Sequence, residues 1–201
     1  DIFNDKGKPI KDTKGELVCK NPFPSMPLKF WNDKNDNKFK EAYFNRYPNI
    51  WHHGDFAEIK KTRGFIIHGR SDTTLNPGGV RLGTAEIYSE VEKFKEIKES
   101  IVVGQSWDND VRIVLFIVMN EKFILTEDLL KKIKLQIRKN ASPRHVPSKV
   151  IVVRDIPRTK SGKIVELAVK NTIEGNNIKN KEALANPEVL EQFKNLKELS
   201  N

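Results

Sequence analysis

Apolar positions along this chain change texture near residue 69. Before it, only short apolar pieces occur. GELVC at 15–19 and GFIIH at 64–68 predict strands, and turn-rich stretches such as NPFPSMP and NDKNDN separate them. After it, a Gly/Pro-rich segment, NPGGVRLG, leads into a helix opening at Thr84 as N-cap, with Ile87, Val91 and Phe94, and Tyr88 beside them, at helical spacing. Two β-type runs, Ile101 to Gly104 and Arg112 to Met119, flank SWDND and predict a hairpin. Thr126, followed by Glu127 and Asp128 near the positive end of the helix dipole, opens a helix whose apolar stripe is Leu129, Leu130, Ile133 and Ile137. Pro143 and Pro147 end it. Val150 to Val153 reads as a buried strand, and a last helix begins after Lys163 with Val165, Leu167, Ala168 and Val169. The order αββαβα predicts a compact α+β unit of about a hundred residues. Polar EGNNIKN then leads to a short helix with Asn186 as cap and Pro187 in its first turn.

These textures divide the 201 residues into a β-rich edge of a larger domain at 1–69, an α+β domain at 70–174, and a linker with a terminal helix at 175–201. The longest apolar run, Ile113 to Met119, is seven residues, against the ~20 a membrane-spanning helix needs. The single cysteine, Cys19, has no partner for a disulfide within the chain, and His52, His53, His68 and His145 lack zinc-ligand spacing. A reducing, cytoplasmic setting without a bound metal is expected. The opening DIFNDKGKPIKD has neither an initiator methionine nor an apolar leader, so the chain is expected to start partway through a larger protein or to be a trimmed piece of one.

The formal charge of +9 suggests an acidic partner, and its placement narrows the choice. Between Leu129 and Lys170 twelve Lys or Arg residues face two acids, Asp155 and Glu166, a local balance of +10 that leaves the remainder at −1. Spread over a helix, a loop and a strand, these charges either form a solvated face or converge on one anionic ligand. A single-stranded nucleic acid would call for interleaved aromatic stacking platforms, and the stretch contains no Phe, Tyr or Trp.

Few residues carry chemistry by type and position alone. In Pro157-Arg158-Thr159-Lys160-Ser161-Gly162-Lys163-Ile164, a glycine immediately before Lys163 frees a compact positive charge to reach a phosphate as negative charge develops there. Pro157 and Ile164 stand where a Walker A loop needs glycine and Ser or Thr, so the loop is not of that class, and a merely solvated basic turn is the bland alternative. Asp55, after a glycine in WHHGD, offers a carboxylate able to accept from the paired hydroxyls of a ribose, or is an ordinary turn aspartate. His52 and His53 point to opposite faces if they lie on a strand, and read as polar packing. Asp72, in GRSD at the junction of the two textures, suits a hinge as well as a rigid linker. Gly78 and Gly79 make either a plain hairpin turn or a bare surface for a ligand, and Arg81 either meets a phosphate or faces solvent.

PFPSMPLKFWND, WHHGDF, GRSDTTLNPGGVRLGTAEIY and PRTKSGKI, in this order, resemble the carboxyl-terminal portion of the adenylate-forming acyl-CoA synthetases, and ALANPE resembles the tail of their acetoacetate-activating branch. The resemblance implies the small mobile α+β domain of that fold, preceded by a β-rich remnant of its large domain. It also implies a two-step reaction, in which acetoacetate and ATP, taken with Mg2+, give an acyl-adenylate that coenzyme A converts to the thioester with release of AMP. By resemblance, Asp55 holds the ribose hydroxyls, Arg70 is its partner at the nucleotide, and Lys163 serves adenylation. Asp72 is the pivot that swings Lys163 away and brings Gly78 and Gly79 to the pantetheine channel. Arg81 lies near the phosphates in the thioester-forming state, and Arg138, twenty-five residues before Lys163, meets the 3′-phosphate of coenzyme A. Gly78 stands where acetate-specific relatives carry serine. The triphosphate loop, the Mg2+ ligands, the adenine pocket and the acyl pocket belong to the large amino-terminal domain in this family, the partner this segment would need, so little activity is expected of the segment alone. Two other readings compete: a non-catalytic remnant or basic module that binds nucleic acid or a partner protein, and a complete small enzyme using Lys163 as a Schiff base. The second needs a desolvated lysine, which an exposed basic loop does not supply.

Overall fold

A computed structural model describes residues 1–178 and 180–200 of the chain. They form two compact units, Asp1–Asp72 and Thr73–Asn201.

The first unit is a four-stranded antiparallel sheet in the order β1 (Ile2–Phe3), β2 (Gly15–Cys19), β3 (Trp51–Ile59) and β4 (Phe65–Arg70). The two strands expected from apolar runs are β2 and β4. The longest, β3, escapes sequence pattern because WHHGD interrupts its alternation, and the same residues explain its shape. Glu16 of β2 faces Phe56 while Val18 faces His52, so the three residues His53, Gly54 and Asp55 oppose Leu17 alone. Such a bulge re-aims side chains out of the ladder, and Gly54 supplies the left-handed φ of +84° that it needs. The expectation of a turn at Asp55 is therefore corrected to a bulged strand. Helix α1 (Asn37–Tyr43), also unforeseen, is too short to show periodicity. It is nucleated by Asp33, whose carboxylate accepts from the Lys38 and Phe39 amides at 2.9 and 2.8 Å. Its Tyr43 stacks on Trp51 with ring centres 3.7 Å apart, which sets α1 against β3.

The second unit is a three-stranded sheet, β5 (Ile97–Trp107), β6 (Asp110–Met119) and β7 (Lys149–Val152), with β6 in the centre. β5 and β6 form the expected hairpin, closed by Asp108 and Asn109 at φ +48° and +58°, the conformation of a two-residue turn matched to strand twist. β6 and β7 run parallel, so the chain must cross over between them, and α3 (Glu127–Asn140) is that crossover. Both faces of the sheet are covered, which is why Ile113 to Ile117 are apolar without alternation. Leu115 and Ile117 pack with Ile87 and Val91 of α2 (Ala85–Val91) and Ile133 and Ile137 of α3, while Val114 and Phe116 pack on the other face with Ala168 and Val169 of α4 (Glu166–Ile173). Each fully buried Ile or Phe contributes about 1.5–3 kcal/mol relative to an exposed one.

Capping follows expectation at one helix and departs from it at two. The Thr126 hydroxyl accepts from the Leu129 amide at 3.2 Å. Thr84 already has helical dihedrals and is buried, so its backbone carbonyl, not its side chain, starts α2. Asn186 makes no cap bond either; its amide is engaged elsewhere. In α3 the buried stripe is Leu129, Ile133 and Ile137, with Leu130 outside the core cluster.

Residues 175–201, expected as linker and terminal helix, give Leu184, Leu190, Phe193 and Leu199 to the core shared by Phe116 and Val169. Among the described residues of this segment the regular structure is 3-10 turns, including Pro187–Phe193, and not an α-helix. The aliphatic spacing of the tail is irregular because it follows a surface built by both α4 and the sheet and not a helix period.

α2 and α3 are tied by a buried carboxylate. Glu90 accepts from Lys93 Nζ at 2.6 Å and from Gln136 Nε2 and Asn140 Nδ2 at 2.9 Å each. The hydrogen bond from Lys93, then that from Asn140, holds its pKa below 4.5 against the opposing effect of burial. A depressed carboxyl pKa adds stability that is present above the unfolded value and is lost as pH falls through the folded one. Thermal melts should show an acid-side loss of stability below about pH 4.5 that Glu90→Gln flattens. An unchanged acid limb in that variant would refute the assignment.

Candidate functional site

The first unit gathers three of the expected residues. Asp55 and Arg70 are directly paired in the β3–β4 register, and Arg70 Nη1 lies 3.6 Å from Asp55 Oδ1. The guanidinium lies against Gly54, where a Cβ would come within 2.8 Å of Nη2, so the bulge glycine also makes room for the arginine. Arg70 Nε is 3.5 Å from Asp72 Oδ1, which links this pair to the expected pivot. His53 Nδ1 meets Asp55 Oδ2 at 2.5 Å, a contact the reading of His53 as packing missed; two positions apart on one strand, the two side chains share a face. Asp55 is largely buried, whereas Arg70 and Asp72 are half exposed. Together with Arg46, Trp51 and His52, His53, Arg70 and Asp72 border an open cleft of about 670 Å³. A carboxylate beside a guanidinium on the rim of such a cleft can accept from a diol and face a phosphate at once.

Beneath the cleft lies Glu16, 1% exposed. His52 Nε2 approaches it at 2.8 Å, Arg46 Nη1 at 2.9 Å, and the Ser71 hydroxyl donates to it through a short bond. A carboxylate this buried persists only with charged and hydrogen-bonded partners. It was not visible in sequence, because its partners lie 30, 36 and 55 residues away.

The second unit carries the other expected residues on three separate structures. Leu75 and Leu82 pair through two backbone bonds, and Pro77–Gly79 turns the chain between them. Gly78 and Gly79 have φ of +58° and +73°, and neither would meet a heavy atom within 4 Å if it carried a Cβ. The turn is thus both a hairpin and a bare, exposed surface. Asp110 accepts from the Gly78 amide with both oxygens, at 2.9 and 3.0 Å, and steadies it. Arg81, half-buried, donates from Nε to Thr74 Oγ1 at 3.0 Å. Arg138 is exposed in the last turn of α3, where a cation complements the helix dipole.

Lys163 ends a clamped loop. Arg158 bridges Ile164, Thr159 N donates to Lys163 O at 2.8 Å, and Lys163 N donates to Thr159 Oγ1 at 3.1 Å. Gly162, at φ +84°, closes this turn. Arg158 spans the loop, donating to Gly162 O at 3.0 Å and pairing with Glu99 at 2.6 Å. The Lys163 backbone is therefore fixed while its side chain is exposed. Among the described residues no group of three or more His, Cys, Asp and Glu is placed to hold a metal ion. None of the described helices is long and apolar enough to cross a membrane.

Residues 86–163 match the family model described as AMP-binding enzyme C-terminal domain. The whole chain is 58% identical to the acetoacetyl-coenzyme A synthetase of Rhizobium meliloti (strain 1021), covering 31% of that protein, and 45% identical to the acetoacetyl-CoA synthetase of Gallus gallus, covering 30%. Among solved structures, acetoacetyl-CoA synthetase from Streptomyces lividans superposes over the full chain with a TM-score of 0.91 at 39% identity, again over 30% of its length. Over its whole length the chain matches the carboxyl-terminal portion of the acetoacetyl-CoA synthetases. It spans about 30% of the length of the relatives it matches. A benzoate CoA ligase from Burkholderia xenovorans, with a TM-score of 0.69 at 21% identity over 84% of the chain, shows the same fold. The expected α+β architecture and the expected family are both borne out.

Proposed function

We propose that this chain is the carboxyl-terminal part of an AMP-forming ligase that makes acetoacetyl-CoA from acetoacetate, ATP and coenzyme A. The acetoacetate carboxylate attacks the α-phosphate and expels pyrophosphate; the coenzyme A thiol then attacks the acyl carbon, and AMP leaves. The observation that carries the reading is Lys163, fixed by its backbone in a clamped loop yet free at its ammonium group. A preorganised cation of this kind stabilises charge developing at the reacting phosphate. Asp55 accepts from the ribose hydroxyls and Arg70 partners it at the nucleotide. Asp72 is the pivot between the two half-reactions, after which Gly78, Gly79 and Arg81 serve the coenzyme A step. Arg138 meets the coenzyme A 3′-phosphate from a region whose surplus positive charge suits it. The Mg2+ that accompanies ATP finds no three-ligand group among the described residues, and no step here runs through it.

The partner is a large amino-terminal domain carrying the acyl and adenine pockets. Phe65, Ile66 and Ile67 of β4 are each more than 40% exposed, an apolar stretch of a kind that marks a covered surface. The reaction belongs in the cytoplasm.

Two measurements test the proposal. The intact ligase should show acetoacetate-dependent ATP/pyrophosphate exchange, while the 201-residue chain alone should show almost none, since half the walls that position the reactants are absent. Ordinary exchange by the isolated chain would overturn it. Gly79→Leu should slow thioester formation from a supplied acyl-adenylate by roughly tenfold or more and leave adenylation within about twofold. Loss of adenylation first would contradict the channel role.

A further inference from the structure

The tail and the lysine loop are bound together by bonds that no helix cap requires. Asn186 Oδ1 accepts from the Arg158 amide at 2.8 Å, while its Nδ2 donates to Ile156 O at 3.0 Å and Asp155 Oδ2 at 3.1 Å. One side-chain amide thus reaches three of the residues that lead from β7 into the lysine loop. The backbone adds to it: Ala185 N donates to Arg158 O at 2.8 Å, Lys160 N donates to Ala183 O at 3.1 Å, and Leu184 pairs with Thr159. The tail lies antiparallel beside residues 158–160 through this isolated bridge, and it is pinned to the core by Leu184, 6% exposed, and Leu190, 1% exposed.

We infer that Asn186 is a positioning residue for adenylation: through Arg158 it holds the loop segment that sets where the Lys163 backbone sits. The inference rests on Lys163 as the adenylating group. A rigid anchor matters because an exposed basic loop has little packing of its own, and a displacement of about 1 Å at a reacting group can cost about a hundredfold in rate.

Two variants separate positioning from folding. Asn186→Ala removes all three bonds. Asn186→Asp keeps the acceptor for Arg158 N but turns the donor into an oxygen facing Ile156 O and Asp155. In the 201-residue chain, backbone order parameters at residues 158–163 should fall in Asn186→Ala from the rigid value of about 0.85 toward 0.6, with β5 and β6 unchanged. In the intact ligase, both variants should lower the single-turnover adenylation rate roughly tenfold or more, with the ATP KM within about twofold and thioester formation from supplied acyl-adenylate unchanged. A merely structural asparagine would lower both half-reactions together, and that outcome, or unchanged order at 158–163, overturns the inference. If the unsubstituted ligase itself forms no acyl-adenylate, the ligase reading falls instead, and the order parameters still decide whether Asn186 anchors the loop.

Discussion

Lys163→Ala is expected to slow acyl-adenylate formation by roughly 10²–10³-fold in the intact ligase, the usual loss when one preorganised charge is removed from a developing anion. The side chain is exposed and held only through its backbone, so the substitution deletes a charge without opening a cavity. Stability should therefore hardly change, which makes the kinetic effect readable. Thioester formation from a supplied acyl-adenylate should keep its rate, because under the proposed function a pivot at Asp72 would take this loop away before coenzyme A reacts. ATP/pyrophosphate exchange and single-turnover thioester assays measure the two halves separately. Equal loss in both would remove the assignment of Lys163 to one step. Lys163→Arg keeps the charge but replaces a compact ammonium with a broad planar fork, so it should restore only part of the rate.

Phe193→Ala should destabilise the second unit by about 3–5 kcal/mol, the range for truncating a buried aromatic. Phe193 has no exposed surface and meets Phe116 edge to face with ring centres 4.9 Å apart. A melting temperature lower by on the order of 10 °C is expected for a unit of this size. The substitution also loosens the tail that Leu184 and Leu190 share with this core, so the loop beside it should lose order before the sheet does. Calorimetry with amide exchange at residues 158–160 tests both. A tail that contributes no stability would leave the melting temperature in place.

Legibility followed physical range. Hairpin, crossover helix and capping threonine were readable because each depends on neighbours within one element: SWDND for the turn, Leu129, Ile133 and Ile137 for the stripe, and Thr126 with Leu129 for the cap. β3 was not, since its bulge breaks the period that reveals a strand. Nor was the role of Asn186, which looked like a helix cap because Pro187 follows it, while its partners stand about thirty residues earlier. His53 was set aside for lack of a metal partner, yet its partner proved to be a carboxylate two positions on.

By itself the sequence determined which residue types were available and in what order: a lysine after a glycine, an aspartate before an arginine-bearing strand, a basic stretch free of aromatics, and the family that these motifs resemble. Tertiary structure alone decided which of them meet. The Asp55–Arg70 pair depends on strand register, the burial of Glu16 on distant cations, and the fixing of Lys163 on a tail that returns to lie beside its loop. Local propensity cannot encode such contacts, because each is set by the packing of elements whose separation in space has no relation to their separation along the chain.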